Sequence, residues 1–486
     1  MMKEKKEKPV KKEKPAKKEK PSKRSGHAEK GNYLGAPFAI THTILLIACI
    51  LGFALLIFLL IIVLNSPYEK FYFDGSPLTF VFFGLLILLA ILLFFVAGIH
   101  LFSRDAMPTY DEFKRAQNKM AYLKKKSRFP ELLDFDYENP DDFIKEDTPK
   151  DVTLLSFCET FRDYCADELK LFYSPQDIRK FIASLSVSKI MILQGMSGTG
   201  KTSIAVAFGR FIANSSTVVP VQPMWKERSD LLGYYNEFTG KFNETAILKK
   251  LYEANFNDKM FVIVLDEMNI ARVEYYFAEF LSLLELPSSS ERLLMVASNG
   301  AEGDPRKMSH GKIVLSNNVW FLGTANNDDS TFAISDKVYD RAMVMNLNVK
   351  ADPYHSGKKP TQIKMSAAVF ASLAEEAKKA HPLTEDALKK LRDLDEYLVS
   401  TFHITFGNRI MMQIRNYVPV FIACGGTETE ALDDIISKKI LRKLEAQNPV
   451  YVRNHSEELI AKLDEIFGQD VMANCIDYIH ILANNG

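Results

Sequence analysis

One octapeptide, Gly195-Met196-Ser197-Gly198-Thr199-Gly200-Lys201-Thr202, constrains this chain of 486 residues more than any other feature. It follows Lys189-Ile190-Met191-Ile192-Leu193, an apolar run with the length of a buried strand, and it precedes residues 204–211, whose apolar spacing is helical. The spacing is G-x-x-x-x-G-K-[ST] in strand–loop–helix context. Small residues there let consecutive backbone N–H groups curl around phosphate oxygens, at a helix N-terminus whose dipole favours anions. Lys201 brings a point charge to the outer phosphates, and the Thr202 hydroxyl is a ligand for Mg²⁺. Gly195, Met196, Ser197, Gly198, Thr199, Gly200, Lys201 and Thr202 are therefore the expected nucleotide-binding residues.

A second apolar run, Phe261-Val262-Ile263-Val264-Leu265, ends in Asp266-Glu267. A carboxylate at the C-terminal end of a strand sits on the ligand-binding edge of a parallel sheet. Asp266 is expected to join Thr202 at the metal, and Glu267 to orient and polarise the attacking water. A third strand, residues 319–325, ends in Asn326-Asn327-Asp328-Asp329, which places Asn326 either beside the water and γ-phosphate or in a plain Asx turn. Arg341, just before a strand over 343–347, suits either an arginine finger into a neighbouring subunit or a structural ion pair. Arg409, in Phe406-Gly407-Asn408-Arg409, is a second candidate, reaching over the nucleotide from a helical lid.

Three runs go beyond a generic phosphate loop. They are Gln222-Pro223-Met224-Trp225, Ser229-Asp230-Leu231-Leu232-Gly233-Tyr234-Tyr235-Asn236 and Leu265-Asp266-Glu267-Met268-Asn269-Ile270-Ala271-Arg272-Val273-Glu274-Tyr275-Tyr276-Phe277. With Gly323-Thr324-Ala325-Asn326 and residues 336–342, they resemble the McrB-like branch of the AAA+ ATPases, close to the dynein-related group. The resemblance covers residues 150–445. It implies an α/β fold, a P-loop AAA+ parallel sheet with a helical lid. It also implies ATP as nucleotide, with GTP open, Mg²⁺ as cofactor, and self-association into a ring, usually a hexamer, with active sites between subunits. Lys201, Glu267, Asn326 and Arg341 are then the expected catalytic set, and Arg409 the sensor 2 arginine. McrB itself is a GTP-dependent DNA restriction motor with an N-terminal DNA-recognition domain, whereas this chain begins differently.

The formal charges balance, 61 basic against 61 acidic, but they are segregated. Residues 1–30 carry thirteen Lys/Arg and five Asp/Glu in K-E-K-P-like units with almost no apolar side chains, the composition of a disordered basic tail. No Asp, Glu, Lys or Arg then occurs until Glu69. Residues 38–64 and 78–102 are long and apolar enough to be read as two transmembrane helices, since 27 residues of helix reach about 40 Å. The loop 65–77 is slightly acidic, while 1–30 and 104–128 are basic. By the positive-inside rule both ends of this hairpin face the cytoplasm, giving a two-span cell-membrane protein with a lipid bilayer as partner. Residues 104–128 look helical, and 131–151, with nine acidic and two basic residues, read as an extended linker.

The expected domains are a tail (1–30), a transmembrane hairpin (31–103), a charged juxtamembrane helix and acidic linker (104–150), a nucleotide-binding domain (151–350) and a helical lid with C-terminal helices (351–486). Residues 293–297 and 312–315 can pair as a β-hairpin, and loop 236–242 is a pore-loop candidate or a plain surface loop. Residues 366–392 and 433–444 have helical spacing suited to the lid. Cys158 and Cys165, seven apart, most simply share a buried helix face, and the five cysteines form no CxxC. The expected function is a membrane-anchored NTPase that remodels or translocates a cytoplasmic protein or nucleic-acid partner. The rivals are a nucleotide-gated membrane scaffold and the motor subunit of an McrB-like DNA-targeting defence complex. The balanced charge of the residues beyond 151 makes no electrostatic case for nucleic acid.

Overall fold

A computed structural model describes residues 110–138, 143–326, 331–348 and 351–484. The chain divides into two compact units, 1–122 and 123–486, and the first is described only from residue 110. Helix α1 (Tyr110–Lys126) opens the described part. The second unit is built on a five-stranded parallel sheet in the order β10-β1-β9-β5-β2. Its strands are β1 (Ile190–Gln194), β2 (Thr217–Pro220), β5 (Phe261–Asp266), β9 (Val319–Ala325) and β10 (Met343–Asn346).

Both faces of this sheet are covered, which is why its central strands are apolar throughout rather than alternating with polar residues. Side chains still alternate between faces. Met191, Leu193, Val262, Val264, Trp320 and Leu322 join one core, while Ile190, Ile192, Phe261, Ile263, Val319 and Phe321 join the other. The first core is packed by α3 (Leu154–Asp167), α4 (Pro175–Val187), α5 (Lys201–Phe211) and the C-terminal helices. Cys158 and Cys165 do lie buried in it on α3. The second is packed by α7 (Ala246–Glu253) and the short helices that follow β5.

Two small sheets depart from the main layer. Strands β3 (Gly233–Asn236) and β4 (Lys241–Glu244) form a hairpin whose tip residue Phe238 is fully exposed. Strands β6 (Leu293–Met295) and β8 (Lys312–Val314) pair antiparallel as their spacing suggests, and β7 (Met308–Ser309) adds a third strand. Beyond β10 come α11 (Ala367–Ala380), α12 (Glu385–Phe402), α13 (Asn408–Ala423), α14 (Glu428–Lys439) and three further helices to Asn484. Ser366, Thr384 and Thr427 cap α11, α12 and α14 through their hydroxyls, each offsetting about 1 kcal/mol of unsatisfied backbone.

Two expectations change here. Among the described residues no helix is long and apolar enough to cross a membrane. The longest, α12, has eight charged side chains in 18 residues and buries only one face. The architecture is therefore corrected to the α/β fold alone, and a two-span, multi-pass membrane location with a bilayer partner is unsupported. The tail 1–30 and the spans expected at 38–64 and 78–102 lie outside the described residues. The segment expected as a repelled acidic linker is in part docked. Phe129 and Leu132 are fully buried, and the Glu244 carboxylate accepts the Glu131 and Leu132 N–H groups, each at 2.9 Å, at the start of α2 (Leu132–Glu138).

Candidate active site

Between Gln194 and Lys201 the backbone turns through Gly198 at φ 80° and Gly200 at φ 93°, conformations open to glycine and strained for other residues. At Gly195 a Cβ would stand 2.2 Å from the Leu347 carbonyl oxygen, so the chain closes that position sterically. The loop walls a cavity of about 480 Å³ that also touches Asp266, Glu267, Thr324 and Asn326. Lys201 opens α5 and is buried, its Nζ donating to Gly195 O at 2.8 Å and Met196 O at 2.7 Å. Above Gly200 sits Tyr173, whose hydroxyl donates to the Gly200 carbonyl at 3.1 Å; burial pushes its phenol pKa well up, so it stays a donor. Nothing in the sequence marks Tyr173 as a partner of the loop, because the contact spans 27 residues.

Asp266 ends β5 with two hydroxyls on one carboxylate oxygen. Thr202 Oγ1 donates to Oδ1 at 2.7 Å, and Thr324 Oγ1 donates to the same atom at 2.8 Å. The Glu267 N–H in turn donates to Thr324 Oγ1 at 2.9 Å. Glu267 has φ 53°, a left-handed conformation that costs a side-chain-bearing residue about 1–2 kcal/mol. That turn carries Glu267 out of the strand line and into the cavity wall. Asn326, one residue beyond β9, lines the same cavity. Asn327, Asp328 and Asp329, the rest of the expected N-x-x-D run, lie outside the described residues.

The donor set suits magnesium. Thr202 and Asp266 offer hard oxygens side by side, the kind Mg²⁺ takes when phosphates and water fill its shell. Among the described residues no three His, Cys, Asp or Glu gather into an all-protein metal cage.

Residues 190–342 match the model of the AAA domain (dynein-related subfamily). These residues form an AAA+ domain. Residues 362–482, which include α11 to α14, match a model described as a domain of unknown function (DUF8727). No curated protein matches the chain. Among solved structures, a "putative ATPase" of Cytophaga hutchinsonii is similar at 13% identity and TM-score 0.39, over 72% of this chain and 98% of that one. A full-length MCM homolog from Methanopyrus kandleri is similar at 11% identity and TM-score 0.33, over 60% of this chain and 62% of that one.

Two expected cations stand apart from the AAA+ domain's own cavity. Arg341 follows the short helix α10 (Asp336–Tyr339) and donates from Nη1 to Lys337 O at 2.7 Å and from Nη2 to Glu285 Oε2 at 3.1 Å. Arg409, at the start of α13, places Nη2 2.6 Å from Glu285 Oε1. Neither arginine lines the loop cavity. α13 leads Arg409 to the same carboxylate as Arg341. Glu285, within Leu284-Glu285-Leu286-Pro287, carried no sequence signal for this meeting. Lys438 and Arg442, from the C-terminal helical region, line a larger cleft of about 1290 Å³ together with Gly195, Asn269 and Asn326.

Proposed function

We propose that the chain is an Mg²⁺-dependent ATP hydrolase that works as a ring of copies and couples turnover to remodelling or translocating a partner macromolecule. The observation that carries the hydrolase reading is the continuous chain Thr202–Asp266–Thr324–Glu267 on the wall of the glycine-loop cavity. In this reading residues 195–202 cradle the phosphates, and Lys201 leaves its two carbonyl partners to meet the outer ones. Thr202 and Asp266 hold the metal, which when bound supplies positive charge against the phosphate oxygens. Glu267 accepts a proton from the attacking water, Asn326 orients that water, and Arg341 of a neighbouring copy meets the developing charge. The proposed division is a nucleotide-binding domain over 151–350 and a helical lid with C-terminal helices over 351–486, and the finer kinship is with the McrB-like branch.

The test compares hydrolysis of Mg-ATP by the wild type and by Glu267→Gln. Losing a general base costs about 10²–10⁴ in rate, so the variant is expected to bind ATP normally and turn it over at least 100-fold more slowly. Equal rates for the two proteins would remove the assignment, as would undiminished wild-type hydrolysis in excess EDTA.

A further inference from the structure

Asn269 lies two residues beyond Glu267, in the single 3₁₀ turn Met268–Ile270 that follows β5. Its side chain is buried, and its amide nitrogen reaches three oxygens of the segment after β9. Nδ2 donates to Asn326 O at 2.9 Å, to Thr331 Oγ1 at 3.0 Å and to Phe332 O at 3.3 Å. Two of these acceptors are carbonyls, so only the NH₂ end of the amide can face them, which fixes its orientation. The backbone closes the same junction, because Phe332 N donates to Asn269 O at 2.8 Å. Thr331 Oγ1 also donates to Asn326 O at 3.0 Å. The turn itself is held by Tyr276 Oη on Met268 O at 2.8 Å and by Ile270 N on Glu267 O at 3.0 Å.

Resting on the hydrolase reading above, we infer that Asn269 is a positioning residue: it ties the Glu267 turn to the Asn326 backbone and so sets the distance between the two groups that handle the attacking water. Glu267 and Asn326 sit on different strand ends, β5 and β9, and the regular sheet bonding between those strands stops at Leu265 and Gly323. Beyond that point Thr324, on Asp266 Oδ1 and on Glu267 N, and Asn269, on Asn326 O, are side-chain links between the two strand ends. Thr324 acts from the β9 side and Asn269 from the β5 side. Among the described residues the buried Asn269 Oδ1 atom has no hydrogen-bond partner, so the described bonds of this side chain run through its nitrogen.

The experiment measures kcat, KM and nucleotide affinity for wild type, Asn269→Ala, Thr331→Val and the double variant, with Glu267→Gln as the inactive control. Asn269→Ala is expected to lower kcat about tenfold or more with KM and ATP affinity within about twofold, since misplacement of a catalytic pair falls on the chemical step. Thr331→Val, which keeps the Asn269 amide and removes one of its acceptors, should show the same split at smaller size. The double variant should be no worse than Asn269→Ala, because both changes act on one junction. If Asn269→Ala does not fold, Thr331→Val alone decides. An unchanged kcat in the folded variant, or a loss shared equally between kcat and affinity, overturns the inference while leaving the hydrolase reading intact. Absence of wild-type hydrolysis removes that reading itself.

Discussion

Thr324 is buried, with its hydroxyl between the Asp266 carboxylate and the Glu267 backbone at the end of β5, and it uses both of its capacities there. It donates to Asp266 and accepts from the Glu267 backbone, so one oxygen holds the Asp266 carboxylate and the left-handed turn together. Valine has almost the same shape and can do neither. Thr324→Val is expected to cost about 0.5–1.5 kcal/mol of stability, because it removes the part-buried hydrogen bond to the Glu267 N–H. The same variant should also reduce kcat through the loss of alignment. Urea unfolding and steady-state hydrolysis measure the two separately, and a variant as stable and as fast as wild type would refute the link. This residue shows where legibility ended. The strand over 319–325 and the edge carboxylates were readable from apolar runs, glycine spacing and the Asp-Glu pair. Thr324 was visible only as part of a family run, because its two partners lie 57 and 58 residues away. Glu285 was less visible still, since both of its arginines arrive from distant elements.

At the scale of elements, sequence periodicity identified strands well and misjudged how charged segments dock. Residues 131–151 were read from their acid count, yet Phe129 and Leu132 are what hold that segment down, and Glu244 caps it. A few apolar side chains outweigh many solvated carboxylates, since burying each is worth about 1.5–3 kcal/mol. The helical spacing read over 366–392 resolves into two helices, α11 and α12, because His381-Pro382 ends the first before Thr384 caps the second. Docking of α14 has a measurable consequence. Lys439, its last residue, donates to Tyr339 O at 2.7 Å and to the Ala342 carbonyl, fastening the segment that carries Arg341. Burial lowers the Lys439 pKa to about 7, with Asp340 opposing and Arg442 and Arg409 adding to the shift, against 10.5 for a free lysine. Between those values the unfolded chain holds a proton that the folded chain lacks, so this group makes the fold more stable as pH rises through the window. Each pH unit is worth at most about 1.4 kcal/mol. Urea unfolding between pH 7 and 9 should show wild type gaining stability relative to Lys439→Met. A difference that stays constant with pH would contradict the assignment.

For the whole molecule, the position of Glu285 bears on how copies would cooperate in the proposed ring. Arg341 and Arg409 share its carboxylate and neither lines the cavity of its own chain, so the two arginines belong to one surface. If that surface completes a neighbour's site, a ring built from two defective subunits behaves in a way fixed by geometry. Mixing Glu267→Gln with Arg341→Ala creates some interfaces in which an intact Glu267 meets an intact Arg341. With random assembly in equal amounts these are about a quarter of all interfaces, and activity should recover to about that fraction of wild type. Mixing Arg341→Ala with Arg409→Ala gives a different expectation. Both arginines come from the same subunit, so no interface contains the pair, and the mixture should stay as inactive as its components. An Arg409 that served its own chain's nucleotide would instead let an Arg341→Ala subunit be rescued by an Arg409→Ala neighbour. Recovery in that second mixture therefore separates a lid arginine acting within its own chain from one that reaches across the interface beside Arg341.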